Sequence, residues 1–140
     1  NQTELYLGNL SAKRDWGYAP DYVEIMWKIL QQSNPDDFVI GTGLTYSVQD
    51  FLETAFEYAG LEYTDYVKID PKYYRPLDVN DLRADSSKAK KILSWKPRVQ
   101  FKELVKIMVD ADMRKLGIDP IGEGDKIISQ KYPHKWWKFD

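Results

Sequence analysis

The spacing of apolar and polar positions divides this chain into short strands and amphipathic helices. Leu5 to Leu7 read as a short strand, ended by the turn pair Gly8-Asn9. Pro20 suits a first helical turn, where its missing N–H costs nothing. Behind it Val23, Met26, Trp27 and Leu30 recur at i, i+3, i+4 and i+7, which predicts a helix with one apolar stripe. Asn34-Pro35-Asp36 makes a turn, and Phe38-Val39-Ile40, closed by Gly41, reads as a buried strand. Ser47 with Asp50 three residues on has the form of a capping box. The helix it opens carries Val48, Phe51, Leu52, Ala55 and Tyr58, and Gly60 stands where a C′ glycine belongs.

A further short strand is expected over Tyr66 to Ile69, followed by a loop from Asp70 to Asp81 that holds Pro71 and Pro76. Asp85 or Ser86 can cap a short helix running through Leu93 and stopped by Trp95-Lys96-Pro97. A longer helix then presents Leu104, Ile107, Met108 and Ala111 on one face, with Gly117 after it. Periodicity is lost from Ile118 onward. The expected organisation is a domain over residues 1–117 and a tail of uncertain structure over 118–140. Helices alternating with a few short strands give an α/β class, too poor in strands for a complete doubly wound sheet. A chain that opens without Met and almost at once on a strand reads as a piece of something longer.

Composition narrows the chemistry. A net charge of −2 gives no general attraction to nucleic acid or anionic membrane, and no apolar run is long enough for a membrane span. Without cysteine there is no disulfide, thiolate nucleophile or cysteine-bound metal, and a reducing cytoplasm is the natural setting. Ten tyrosines offer no Tyr-x-x-x-Lys pair. Gly41-Thr42-Gly43 and Gly122-Glu123-Gly124 both lack the continuation of a dinucleotide fingerprint or a phosphate loop. The single histidine, His134, is a poor base for a triad from its place in the tail. The pairs Asp36-Asp37 and Asp110/Asp112 read as solvated turn and helix-surface charges, and no metal-ligand spacing occurs. Lys131, Lys135 and Lys138 beside Trp136 and Trp137 suit packing or an interface better than base stacking.

Two segments carry positive chemistry: Gly8-Asn9-Leu10-Ser11-Ala12-Lys13-Arg14-Asp15-Trp16 and Tyr73-Tyr74-Arg75-Pro76-Leu77-Asp78. Each sets an arginine in a loop beside aromatic residues and a carboxylate. A guanidinium fork meets phosphate oxygens bidentately and stays charged when partly desolvated. Two such forks brought together would match a diphosphate, and Asp78 could accept from ribose hydroxyls. The alternative from the same residues is a pair of loop ion pairs, Arg14 with Asp15 or Asp21 and Arg75 with Asp78.

The run LYLGNLSAKRDWGYAPDYVEIMW resembles the segment that GDP-mannose 4,6-dehydratases carry after their Rossmann core. DDFVIGTGLTYSVQDFLETAF, YYRPLDV, DSSKAKKILSWKP and FKELVKIMV continue the resemblance collinearly from about residue 4 to residue 115. The R-D-W-x-x-x-x-D-Y core is shared by many extended short-chain dehydrogenases, whereas the longer G-N-L-x-A-K-R-D-W-G run is more specific. The resemblance implies the carboxy-terminal, substrate-binding part of an extended Rossmann-type enzyme that converts GDP-mannose to its 4-keto-6-deoxy product. It implies that Arg14 and Arg75 clamp the diphosphate, Asp78 holds the ribose, and Asn9 and Lys13 lie close to the nucleotide. Catalytic residues and the NADP site then belong to an amino-terminal Rossmann domain, and the enzyme is a homo-oligomer. Tyr18 stands where relatives commonly have His, and Asp78 where Glu is usual, which leaves open a change of sugar specificity. Another nucleotide-sugar epimerase or reductase, or a non-catalytic nucleotide-sugar-binding module, remains the alternative.

Overall fold

A computed structural model describes residues 3–75, 77 and 79–134. It is mainly helical, with short strands in two small sheets. Strand β1 (Leu5–Leu7) runs parallel to β4 (Val67–Ile69), with Leu5 opposite Val67 and Leu7 opposite Ile69. The second sheet is built from two-residue pieces. β2 (Lys13–Arg14) lies between β3 (Tyr46–Ser47), antiparallel to it, and β5 (Asp81–Leu82), parallel to it. Such pieces carry too few residues to show a period-two pattern, so none of these three is legible as a strand in the sequence.

The helices start where local chemistry places them. Helix α1 (Ala19–Leu30) has proline in its first turn, with Asp21 there and Lys28 in its last turn, charges that suit the helix dipole. Helix α2 (Val48–Tyr58) is opened by the expected capping box. Asp50 N donates to Ser47 Oγ at 3.0 Å, and Ser47 N donates back to Asp50 Oδ2 at 2.7 Å. Those bonds to Ser47 hold the Asp50 carboxyl below its ordinary pKa. Gly60 follows with φ +73°, the left-handed conformation expected after a helix end. Helix α3 (Ser87–Leu93) is tied at its start by Asp85, which accepts from Ser87 N at 3.0 Å. Helix α4 (Phe101–Lys115) and helix α5 (Glu123–Lys131) pack side by side.

Two apolar clusters hold these elements. One joins Tyr18, Val99, Leu104, Ile107, Ile128 and Tyr132; the other joins Ile25, Ala89, Leu93 and Trp95, with Phe38 and Ile40 against it. Aromatic contacts tie β3 and α2 to α4: Tyr46 stacks on Phe101 at 3.9 Å, and Phe51 meets Phe101 edge-on at 6.1 Å and Trp16 at 5.3 Å.

The structure departs from the sequence reading in five places. The apolar stripe of α1 is on the outside: Val23, Met26, Trp27 and Leu30 are 43%, 59%, 61% and 80% exposed, while Asp21 and Ile25 are buried. Phe38-Val39-Ile40 is extended but joins no ladder among the described residues; Phe38 and Ile40 pack inward and Val39 is exposed. On α4 the buried positions are Phe101, Leu104, Val105, Ile107 and Asp110, and Met108 is exposed, because α2 and α5 cover adjoining sides of the helix.

Asp110, read as a surface charge, is 0% exposed. Its carboxylate accepts from Gly124 N at 2.8 Å, Gly122 N at 3.1 Å and Tyr58 Oη at 3.1 Å, so the start of α5 and the end of α2 meet on one buried acceptor. Finally, the stretch after Ile118 holds α5. Gly124 lets it in: a Cβ there would stand 2.6 Å from Lys106 O and 2.7 Å from Ile107 Cα. Nine residues that include a glycine are too short a run to display helical periodicity convincingly.

Candidate functional site

The two segments singled out by their arginines meet around β1, β2 and the loop that precedes β5. The end of β1 is closed by a 3-10 turn, Pro71–Tyr73, capped by Asp70, which accepts from Lys72 N at 3.0 Å. Asp70 N donates to Leu7 O at 2.9 Å, continuing the β1–β4 ladder into this turn. Gly8 makes the closure possible. A Cβ on Gly8 would stand 2.5 Å from Tyr73 O, a backbone atom that could move only with the whole turn. Beside this contact Leu5, Tyr6, Leu7, Gly8, Tyr73 and Arg75 line a cavity of about 570 Å³.

Arg14 approaches the same loop from β2. Its guanidinium donates to Val79 O at 2.7 Å and to Lys13 O at 2.7 Å. The backbone adds a second tie, Lys13 N to Asn80 O at 2.8 Å. Arg14 therefore reaches the stretch four residues past Arg75, although 61 positions separate the two arginines. Asn9 closes an Asx turn in the loop before β2, its Oδ1 accepting from Ser11 N at 3.0 Å and Ser11 Oγ at 2.7 Å. Lys13 is exposed on β2. Asp78 lies outside the described residues.

The carboxylates named as ion-pair partners for Arg14 have other work. Asp15 Oδ1 accepts from Thr42 N at 2.9 Å and Thr42 Oγ1 at 2.6 Å, and Oδ2 from Gly43 N at 2.9 Å and Ala84 N at 3.3 Å. Asp21 is buried and accepts from Arg98 N at 2.9 Å, Val99 N at 3.2 Å and the Tyr132 hydroxyl. Trp16 Nε1 donates to Tyr46 O at 3.2 Å, and Tyr22 meets Trp95 edge-on at 5.8 Å. The two aspartates of the R-D-W-x-x-x-x-D-Y run thus hold loops together through backbone donors, Arg14 and Trp16 through backbone carbonyls, and Tyr22 through a ring contact. Contacts spanning 27 and 69 residues leave no trace in local spacing, so the roles of Asp15 and Asp21 could not be read beforehand. Tyr18, one of the two departures from the family pattern, is buried against Tyr132 in the core and away from the cavity lining.

The family model for GDP-mannose 4,6 dehydratase matches residues 1–108. The chain belongs to the GDP-mannose 4,6-dehydratase family. Among similar members, GDP-mannose 4,6 dehydratase 2 of Arabidopsis thaliana is 55% identical over 112 residues, covering 80% of this chain and 30% of that relative. The GDP-mannose 4,6 dehydratase of Dictyostelium discoideum is 48% identical over 139 residues, covering 87% of this chain and 38% of the relative. The chain therefore spans about a third of the length of these family members. In fold it is similar to UDP-glucose 4-epimerase of Thermotoga maritima with UDP-glucose, at TM-score 0.69 and 27% identity over 81% of this chain and 36% of the other. RMD of Pseudomonas aeruginosa complexed with NADPH shares the fold at TM-score 0.68 and 15% identity, over 79% of this chain and 36% of the other. The neighbours are Rossmann-type nucleotide-sugar enzymes, in keeping with the expected α/β class.

The Gly41-Thr42-Gly43 loop is not arranged to cradle a phosphate. The donors of the Gly41-Thr42-Gly43 loop that would face a phosphate are taken by Asp15, from both Thr42 N and Gly43 N. No group of three or more His, Asp or Glu able to hold a metal occurs among the described residues. No helix there is long and apolar enough to cross a membrane.

Proposed function

We propose that this chain is the substrate-gripping part of a cytoplasmic GDP-mannose 4,6-dehydratase, which converts GDP-mannose to GDP-4-keto-6-deoxymannose. In this reading Arg14 and Arg75 clamp the diphosphate, Asp78 accepts from the nucleotide ribose, and Asn9 and Lys13 flank the nucleotide. Two guanidinium forks match the charge and planarity of paired phosphate oxygens. The observation that carries the reading is the Arg14 bond to Val79 O, which draws β2 to the loop of Arg75 beside an open cavity. The family membership supplies the substrate class.

The chemistry itself belongs elsewhere in the enzyme. The chain has no Tyr-x-x-x-Lys pair for hydride transfer, and its glycine loop is closed on Asp15. NADP is assigned to an amino-terminal Rossmann domain of the same protein, and the active enzyme is a homo-oligomer. The exposed stripe of α1 is the natural seam for that domain. Trp27 and Leu30 together form an apolar patch of the kind that marks an interaction surface. Relatives about three times this length supply the missing partner.

The test is calorimetric titration of the intact enzyme with GDP-mannose and, separately, NADP. Arg75→Ala should weaken GDP-mannose binding by about 1.5–3 kcal/mol, the range for a hydrogen bond to a charged group. That is roughly tenfold to a few hundredfold. Arg75→Lys should recover part of the loss, because an ammonium keeps the charge without the fork. NADP affinity should stay unchanged. Normal GDP-mannose binding by Arg75→Ala removes Arg75 from the site, and joint loss of both ligands assigns the Tyr73–Asp78 loop a folding role instead.

A further inference from the structure

A second cavity, of about 610 Å³, opens between α1, the segment joining α3 to α4, and the end of α5. Its charged lining is Lys28, Lys96, Arg98 and Lys131 against Asp21 and Glu24. Two of the cations are already shared. Glu24 takes Arg98 at 2.6 Å and Lys28 at 3.2 Å. Lys131 is held in the wall by Glu103 at 2.6 Å and by Arg98 O at 2.5 Å. Asp21 turns its oxygens away, onto the backbone N–H groups of Arg98 and Val99 and the Tyr132 hydroxyl. Lys96 makes no ion pair among the described residues.

With Glu103 balancing Lys131, four cations face three carboxylates, which leaves one excess positive charge, at Lys96. Trp95 and Pro97 add an apolar wall, and Gln100 a neutral polar one. The volume lies within the range of small-molecule sites and far exceeds the needs of a lone inorganic ion. The cavity lies on the other face of α1 from the proposed seam. At 3.6 residues per turn, positions 21, 24, 25 and 28 fall on the face of α1 opposite 23, 26, 27 and 30.

We propose that this cavity is a second ligand site, distinct from the diphosphate rim, for a small phosphate monoester. Such a group carries about −1.5 to −2 charge near neutral pH, which Lys96, together with Lys28 and Arg98 that share the single carboxylate of Glu24, can meet. Lys28 and Lys96 reach the phosphate as mobile ammonium groups, Arg98 is steadied by Glu24 and by the Tyr132 ring 5.1 Å from its guanidinium carbon, and the organic part of the ester lies along Trp95 and Pro97. The site rests on its own residues and stands whether or not the clamp reading holds.

The experiment is calorimetric titration of the intact protein with inorganic phosphate and with ribose 5-phosphate, in wild type, Arg75→Ala and the double variant Lys28→Ala/Lys96→Ala. Wild type and Arg75→Ala should both bind ribose 5-phosphate more tightly than phosphate. The double variant should weaken both ligands tenfold or more, and added salt should weaken them in wild type. Lys96→Glu, a single exposed change, should weaken them at least as much as the double variant if that one folds poorly. Loss of all phosphate binding in Arg75→Ala would place the anion at the rim and overturn the proposal. So would full affinity in both lysine variants.

Discussion

Helices α1 and α4 look alike in the sequence and behave oppositely in the fold. Each shows apolar residues at helical spacing, and each reads as a core helix. Helix α4 buries Leu104, Val105 and Ile107 under α2 and α5, whereas α1 turns Trp27 and Leu30 outward and buries Asp21. Their carboxylates follow the same inversion. Asp110 and Asp21 both sit on the sides that are covered, because each serves backbone N–H groups of a neighbouring segment that have no other acceptor. Apolar spacing states that a face will be covered; it does not state that the cover is in this stretch of chain.

The comparison can be broken first at Asp110. Replacing it with Ala strands the N–H groups of Gly122 and Gly124 and the Tyr58 hydroxyl, at about 1–3 kcal/mol for each unsatisfied donor. The expected loss is about 4 kcal/mol in chemical denaturation, with α5 exchanging its amide hydrogens ahead of α4. A loss below about 1 kcal/mol would return Asp110 to the solvated surface that its sequence context suggests.

Trp27 sharpens the other half. In the intact protein Trp27→Ala should cost about 3 kcal/mol, as for a large aromatic removed from a packed interface. In the 140-residue chain alone the same change should stay within about 0.5 kcal/mol, as for an exposed site. Equal effects in the two settings would mean that nothing covers α1.

The smallest effect is expected where the two regions are joined, at the hydrogen bond from Tyr132 after α5 to Asp21 in α1. Tyr132→Phe should cost about 1.5 kcal/mol, the bond being to a charged acceptor. Burial, and then the bond to Asp21, raise the Tyr132 hydroxyl above its ordinary value. A raised folded-state pKa means that this contribution is complete below about pH 10, the unfolded value, and is lost as pH rises beyond it. Thermal unfolding followed from pH 8 to 11 should show a steeper alkaline decline in wild type than in Tyr132→Phe.

What the sequence showed was local. The Ser47–Asp50 box, the proline at the head of α1 and Gly60 behind α2 are each decided within a few residues, and each stands as expected. Long-range features were hidden. The two-residue strands β2, β3 and β5 exist only because of partners 32 to 68 positions away, in the pairs Lys13–Ser47, Arg14–Tyr46, Lys13–Asp81 and Arg14–Leu82. The proposed site can be named from the sequence only as a list of residue types, Arg14 and Arg75 among aromatics. The path that brings Arg14 to Val79, and the fit of Gly8 under Tyr73, depend on the sheet and could be seen only once it was built.

In the proposed clamp, Asp15 bears on the speed of ligand capture. Its two oxygens gather Thr42, Gly43 and Ala84, while its neighbour Arg14 holds Val79, so the strand that follows the Arg75 loop is fastened on both sides before any ligand arrives. Ordering a loose loop on contact would slow capture and make it depend on a conformational step. A fastened rim leaves encounter and charge attraction in control. Its association rate should therefore fall with ionic strength and respond little to viscogens that act on internal loop motion.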